Sequence, residues 1–193
     1  MGDQPRFIVD VMLGSLAKWL RLLSFDTLYF RKIDDNELIK IARYEQRLII
    51  TKDSALASTK KTRDCIFITS ETLPEQLREV LAALRNRGQL ASEGFSAVGD
   101  TPVTDKPEVP GRAGEMTAMS NYRQQLTVVS RCIKCNGLLI KVDKASISGE
   151  IPEHVFLKHT FFLKCTDCSK IYWEGSHRIK MAAMIKEVLT RLG

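Results

Sequence analysis

The sequence predicts an α/β protein: a parallel-sheet body over residues 1–90, then a small β-rich cysteine module with a C-terminal helix over 126–193, joined by a flexible linker at 91–125. Three observations carry this. Residues 7–90 alternate short apolar runs with stretches of helical periodicity, the pattern of a parallel sheet covered on both faces. Residues 91–125 hold three of the six prolines and four glycines but no Leu or Ile, so they carry no packed core of their own. Residues 126–193 contain two Cys-x-x-Cys pairs, Cys132/Cys135 and Cys165/Cys168, in a setting of short strands.

The elements of the body follow in order. Phe7-Ile8-Val9-Asp10-Val11 is an apolar run broken by one acid, the first strand. Leu13, Leu16, Leu20 and Leu23 recur at helical spacing, with Ser15, Lys18 and Arg21 on a polar stripe. Thr27 to Phe30 forms the second strand. A helix runs from Asp34 to about Glu45; Asp34 with Glu37 three residues on resembles a capping box. Arg47 to Thr51 is the third strand and Cys65 to Thr69 the fourth, with Cys65 a small buried hydrophobe. Leu73, Leu77, Val80, Leu81 and Leu84 share one face of a further helix. In the second part, strands are expected at 126–129, 138–142, 155–163 and 171–173, and a last helix from Ile179 to Leu192. The tail of the linker, 116–125, has the pattern of a short helix.

Composition bounds the function. The 193 residues are 44% hydrophobic and 27% charged, which excludes wholesale disorder and collagen-like or purely coiled-coil sequence. No apolar run approaches the ~20 residues of a membrane helix. The start, Met1-Gly2-Asp3-Gln4-Pro5-Arg6, lacks the pattern of a secretory signal, and five cysteines are an odd number for a secreted disulfide scaffold. The expectation is a cytoplasmic protein with no membrane partner. The net charge is +6, and residues 126–193 are the most basic part, with 11 basic and 6 acidic side chains. Such a surface suits a polyanion, nucleic acid before membrane.

Two patterns carry chemistry. Twenty-nine residues separate Cys135 from Cys165. Two residues between thiolates let one tight turn aim both sulfurs at a single ion, and two such turns complete a tetrahedral sulfur site, which favours structural zinc. A redox motif of thioredoxin type would instead sit at a helix start in a βαβ unit. Lys134, Lys141, Lys144, Lys158, Lys164 and Lys170 decorate this module as phosphate contacts or as an ordinary solvated face. His177, in Tyr172-Trp173-Glu174-Gly175-Ser176-His177, is a candidate substrate contact, whereas His154 and His159 read as surface or strand residues.

The second pattern is acidic. Asp10 is a lone carboxylate in an apolar strand, costly if buried without a partner but sensible beside a cation. Asp53 follows the third strand and Asp34-Asp35 follow the second. In an open parallel sheet the carboxyl ends of neighbouring strands meet at one crevice. Three carboxylates there form an oxygen-rich site for Mg²⁺ or Mn²⁺, suited to phosphodiester hydrolysis. Helix capping is the competing role for Asp34, Asp35 and Asp53. A phosphoacceptor receiver is disfavoured, because Val11 and Met12 follow Asp10 where a second acid is wanted.

These residues together resemble a known family, the PIN-like ribonuclease domain of the Mut-seven carboxyl-terminal type with a trailing zinc ribbon. The resemblance rests on Phe7-Ile-Val-Asp10-Val-Met-Leu-Gly14-Ser-Leu-Ala-Lys-Trp19-Leu-Arg21, Asp34-Asp35-Asn-Glu-Leu, Leu48-Ile-Ile-Thr51-Lys52-Asp53, Arg131-Cys132-Ile-Lys-Cys135-Asn136-Gly137 and Cys165-Thr-Asp-Cys168-Ser-Lys-Ile-Tyr-Trp173-Glu-Gly175-Ser-His177. It implies a PIN-like α/β fold and a metal-dependent endoribonuclease. Asp10, Asp35 and Asp53 match its acidic Mg²⁺ or Mn²⁺ site, and Cys132, Cys135, Cys165 and Cys168 its structural zinc. Lys18, Arg21, Lys52 and His177 are the implied substrate contacts, with single-stranded or looped RNA as substrate. Ser24 and Ser169 stand where the family often has glycine. The competing function is a non-catalytic RNA- or ribosome-associated zinc-ribbon module.

Overall fold

The computed structural model describes residues 4–60, 62, 64–89 and 130–173. The expected linker at 91–125, the strand at 126–129, the helix from Ile179 to Leu192 and His177 lie outside the described residues.

The body is a four-stranded parallel sheet, β1 (Phe7–Val9), β2 (Thr27–Tyr29), β3 (Leu48–Thr51) and β4 (Cys65–Phe67), in the order β2-β1-β3-β4. The helices are α1 (Gly14–Leu22), α2 (Asp35–Tyr44), α3 (Ser54–Ser58) and α4 (Leu73–Asn86). Alternation along the strands divides the core. Phe7, Val9, Ile50 and Ile66 pack with Leu16 and Leu20 of α1 and Leu77, Leu81 and Leu84 of α4. Ile8 and Ile49 face the other way, onto Leu38, Ile39 and Ala42 of α2 and Leu56 of α3. Both faces are covered, which is why β1 and β3 are buried at every position. At Gly14 a Cβ would stand 2.6 Å from the Tyr29 hydroxyl, so glycine there leaves room for the Tyr29 ring over the start of α1.

The second part is a three-stranded antiparallel sheet, β5 (Leu139–Val142), β6 (Phe162–Cys165) and β7 (Ile171–Trp173), in sequence order. The predicted class therefore holds: a parallel α/β body and a small β-rich cysteine module. One element differs. The strand expected at 155–163 is instead a short helix, α5 (Glu153–Lys158), followed by β6. Pro152 occupies its N-cap and Glu153 its first turn, both favourable at a helix start. Val155 turns inward onto Ile147 and Phe162, while Leu157 is left in solvent; the consecutive apolar letters Val155, Phe156 and Leu157 do not share a face.

Among the described residues, four take positive φ without being glycine, including Ser24 at 68° and Ser169 at 57°. Both are positions where the left-handed conformation favours glycine. Ser24 uses its hydroxyl to accept the Ser130 N–H at 3.1 Å, a bond that glycine lacks.

The two parts are joined through Asp26. Its carboxylate accepts from Arg47 at 2.7 Å, from Asn136 Nδ2 at 2.8 Å and from Arg131 at 3.3 Å. Asn136 returns to the same edge, its Oδ1 accepting the Thr27 N–H at 2.8 Å. Burial alone would raise the Asp26 pKa, but the hydrogen bonds from Arg47 and Asn136 and the charges of Arg47 and Arg131 outweigh it, so the folded value lies below the ordinary one. Stability linked to this group is complete above the unfolded carboxylate range, roughly pH 4, and is lost as pH falls through the folded value. Asp26→Asn is expected to lower stability at pH 7 by about 1–3 kcal/mol. In urea titrations it should also lose less stability than the parent chain on going from neutral to acid pH. Parallel acid limbs in the two proteins would assign the acid sensitivity elsewhere.

Candidate functional site

The order β2-β1-β3-β4 places the first two crossovers on opposite sides of β1, so the chain reverses direction between β1 and β3. Ligand crevices in open α/β sheets form at such a switch point, beyond the carboxyl ends of the strands. Asp10 leaves β1 there and Asp53 follows β3. Asp10 is only 7% exposed; its N–H donates to the Ile50 carbonyl at 3.0 Å, and its Oδ2 accepts from the Thr51 hydroxyl at 2.6 Å. The same Thr51 oxygen accepts the Asp53 N–H at 2.9 Å. One hydroxyl thus links the Asp10 carboxylate to the backbone of Asp53. Thr51 was not singled out by sequence reasoning; the available signal was a polar residue closing the apolar run 48–51, in register with the acid that breaks the first strand.

Asp53 also caps α3, its Oδ1 accepting from Ala55 and Leu56 N–H at 2.7 and 3.1 Å. Asp34 caps α2 by accepting the Glu37 N–H at 2.9 Å, which leaves Asp35 exposed at the first helical position. Among the described residues none of Asp10, Asp35 and Asp53 forms an ion pair with a basic side chain. Their oxygens do not converge as closely as the cysteine sulfurs do: the four cysteines are the group of acid, histidine or cysteine ligands gathered within 4.8 Å among the described residues. Asp10 and Asp53 thus stand at neighbouring strand ends, and Asp35 at the start of α2, without forming one compact ligand group among the described residues. The Asp10 carboxylate, buried with the Thr51 hydroxyl as its side-chain partner, keeps accepting capacity in excess of that one bond.

The basic residues divide. Lys18 is exposed on α1. Lys52 is paired with Glu71 at 2.6 Å. Arg21 departs from the expectation of a phosphate contact. It is 4% exposed and donates from Nε to the Thr27 carbonyl at 2.9 Å and from Nη1 to the Ile133 and Lys134 carbonyls at 3.0 and 3.1 Å. It is a clamp between α1, β2 and the first cysteine turn. Around the helix, Arg21 lies one turn after Ala17 on the buried stripe, closer to Ala17 than to Lys18.

The cysteine site is the second centre. Cys132 and Cys135 flank a tight turn held by the Cys132 N–H to the Gly137 carbonyl and the Asn136 N–H to the Cys132 carbonyl, both 2.8 Å. Cys165 and Cys168 flank the β6–β7 turn, closed by the Ser169 N–H to the Cys165 carbonyl at 3.1 Å. Facing sulfurs stand 3.6 Å apart for Cys132 and Cys168 and 3.4 Å for Cys135 and Cys165. Four sulfurs at ~2.3 Å from one zinc ion would stand about 3.8 Å from one another, so the cluster can hold zinc with little adjustment. A Cβ on Gly137 would meet Asp167 at 2.6 Å and the Cys165 sulfur at 2.9 Å, so glycine is what lets the two turns meet. Burial raises the Cys132 thiol, but the Tyr172 hydroxyl, 3.0 Å from its sulfur, and the amides of Cys135 and Lys134 outweigh it and bring it to about 7. Cys135 is pushed up to about 12, by burial and by the neighbouring sulfurs against the Gly137 amide. Crowded sulfurs cannot all ionise unless a cation shares them.

No helix among the described residues is long and apolar enough to cross a membrane. No curated protein and no solved structure matches the chain. A family comparison matches the Mut7-C RNAse domain over residues 5–96 and 102–185, spanning both the strand-end acids and the four cysteines. With nearly the whole sequence covered and the fold in agreement, the chain belongs to the Mut7-C RNAse domain family.

Proposed function

We propose that the protein is a metal-dependent ribonuclease in which the strand-end acids serve hydrolysis and the cysteine module, closed by structural zinc, assists RNA binding in the cytoplasm. The observation that carries this reading is the Asp10–Thr51–Asp53 chain at the switch point: a buried carboxylate without a basic partner among the described residues, in a family of RNases. Asp10, Asp35 and Asp53 would hold Mg²⁺ or Mn²⁺. Bound there, the ion supplies a lowered water pKa and charge neutralisation at the scissile phosphate. The protein's own part is orientation. The Thr51 hydroxyl donates a hydrogen bond to Asp10 Oδ2, which holds that carboxylate in one orientation. Asp53 has one oxygen on the α3 amides, which fixes the direction of the other. Asp35 projects from the first turn of α2, where the helix N-terminus stabilises its negative charge. Lys18 and Lys52, with His177 outside the described residues, are the phosphate-contact candidates. No side-chain nucleophile is required; water attacks. Single-stranded or looped RNA is the fitting substrate, because unpaired bases can be splayed.

A second reading has one observation in its favour: Asp53 is a good α3 cap, and Asp34 an α2 cap, so helix termini alone account for part of the acid pattern. In that case the chain is a non-catalytic RNA- or ribosome-associated module, and its RNA binding persists in EDTA and in Asp53→Asn.

Two outcomes are expected. With Mn²⁺ the purified chain cleaves single-stranded RNA, and Asp10→Asn lowers the rate by about 10²-fold or more, the scale of losing a principal electrostatic group. That variant should also lose the rise in Tm that Mn²⁺ gives the parent chain, a readout independent of turnover. Unchanged cleavage in Asp10→Asn removes Asp10 from the mechanism. For the second centre, the chain should carry one zinc per molecule by elemental analysis. Cys165→Ser should abolish that content and expose Trp173, which packs against the Ile147–Val155–Phe162 cluster, as a red shift in fluorescence. A zinc-free chain with native emission would show that the module folds on its small apolar clusters alone.

A further inference from the structure

The pairing register lines up a row of side chains across the whole body sheet. Leu28, Ile8, Ile49 and Cys65 stand side by side on β2, β1, β3 and β4, on the face covered by α2 and α3. Two residues further along come Thr51 and Phe67 on β3 and β4, and Asp10 and Phe30 one step past the ends of β1 and β2, where continued alternation returns to the same face. Thr51 is paired with Phe67 directly, Asp10 is hydrogen-bonded to Thr51, and Phe30 follows Tyr29, the partner of Val9. The lower row is apolar and packs under the helices. The upper row is where that cover ends: Phe30 is 37% and Phe67 45% exposed. A buried acid thus sits between two phenyl rings that remain in water. At ~4.8 Å per strand, Phe30 lies one strand and Phe67 two strands from Asp10. Arg31 and Lys32, both exposed, follow Phe30 immediately, so the Phe30 end of the row is also cationic.

We propose that Phe30 and Phe67 are stacking platforms for unpaired bases upstream and downstream of the bond that the chain cuts, with the single strand lying across the strand ends and its phosphates turned toward Arg31 and Lys32. This rests on the ribonuclease reading and names its substrate class as single-stranded RNA. Rings stacked by aromatic side chains tolerate any base, and each such contact is substantial. Duplex RNA presents no free base face to either ring. The stretch of backbone between the two stacked bases would then pass over Asp10.

The test separates binding from turnover. In the full-length Asp10→Asn chain, affinity for a fluorescein-labelled single-stranded RNA is read by anisotropy. Adding Phe30→Ala or Phe67→Ala is expected to weaken binding about tenfold, or ~1.4 kcal/mol, with duplex RNA unaffected. Phe67→Trp should retain affinity, and its indole fluorescence should be quenched on RNA addition. In the active chain the alanine variants should raise KM with little change in kcat. Unchanged affinity in both alanine variants overturns the proposal, as does a fall in Tm with unchanged affinity, which would assign the rings to packing or self-association. So does binding of duplex as tight as of single strand. If the parent chain cleaves no RNA while the rings still govern binding, the ribonuclease reading fails and the stacking surface stands. If it cleaves and the rings are indifferent, the stacking surface fails alone.

Discussion

The carboxylate of Asp26 is the point through which the two parts of the molecule become one. Three donors from separate stretches of chain meet on it: Arg47 before β3, Arg131 before the first cysteine and Asn136 after the second. Each is largely withdrawn from water, and a withdrawn donor without an acceptor costs more than an ordinary hydrogen bond returns. The arrangement therefore stands or falls as a set. Arg47 also donates to the Phe7 carbonyl and to Glu45, so the node reaches the first residue of β1. Asn136 satisfies the Thr27 N–H at the outer edge of β2, an edge that would otherwise offer unpaired backbone to another chain.

The second tie, Arg21, runs the other way. A guanidinium from the body is placed on the carbonyls of Ile133 and Lys134 inside the first cysteine turn. Four thiolates around a doubly charged cation leave a net negative site, and a buried cation against the turn offsets it. The cysteine module has two small apolar clusters, built on Cys132, Leu139, Leu163 and Cys165 and on Ile147, Val155 and Phe162. Its order thus draws on three sources: the sulfur site, its own modest core and the body surface. A metal held by the four sulfurs would consequently be coupled to the body through Arg21 and Asp26.

Much of this was legible from residue patterns. The parallel body, its four strands, α1, α2 and α4, the Asp34 cap and the sulfur cluster all follow from periodicity and spacing, because each is fixed by local geometry and by which side must be buried. What was hidden depended on direction around a helix or on distant partners. Arg21 reads as polar and therefore outward, yet its position one turn from Ala17 puts it inside, where only knowledge of the carbonyls awaiting it explains the burial. Val155, Phe156 and Leu157 read as a strand because hydrophobicity alone does not distinguish three consecutive faces of a helix from two faces of a strand. The pairing of Asp26 with Asn136 could not be read from either residue's neighbourhood, because the two lie 110 positions apart.

The acid site shows the same limit in a more instructive form. Strand-end placement of Asp10 and Asp53 could be anticipated, since a parallel sheet aligns carboxyl ends whatever its sequence. Their coupling could not, because it passes through Thr51, which looks like the last residue of a strand. A hydroxyl serves there where a second carboxylate would not: it donates to Asp10 and accepts from the Asp53 amide at once. Valine would fill the same volume but satisfy neither, leaving Asp10 buried with one fewer donor. Apolar strands bring Asp10 and Thr51 to one level, and a single two-sided polar group ties the Asp10 carboxylate to the Asp53 backbone.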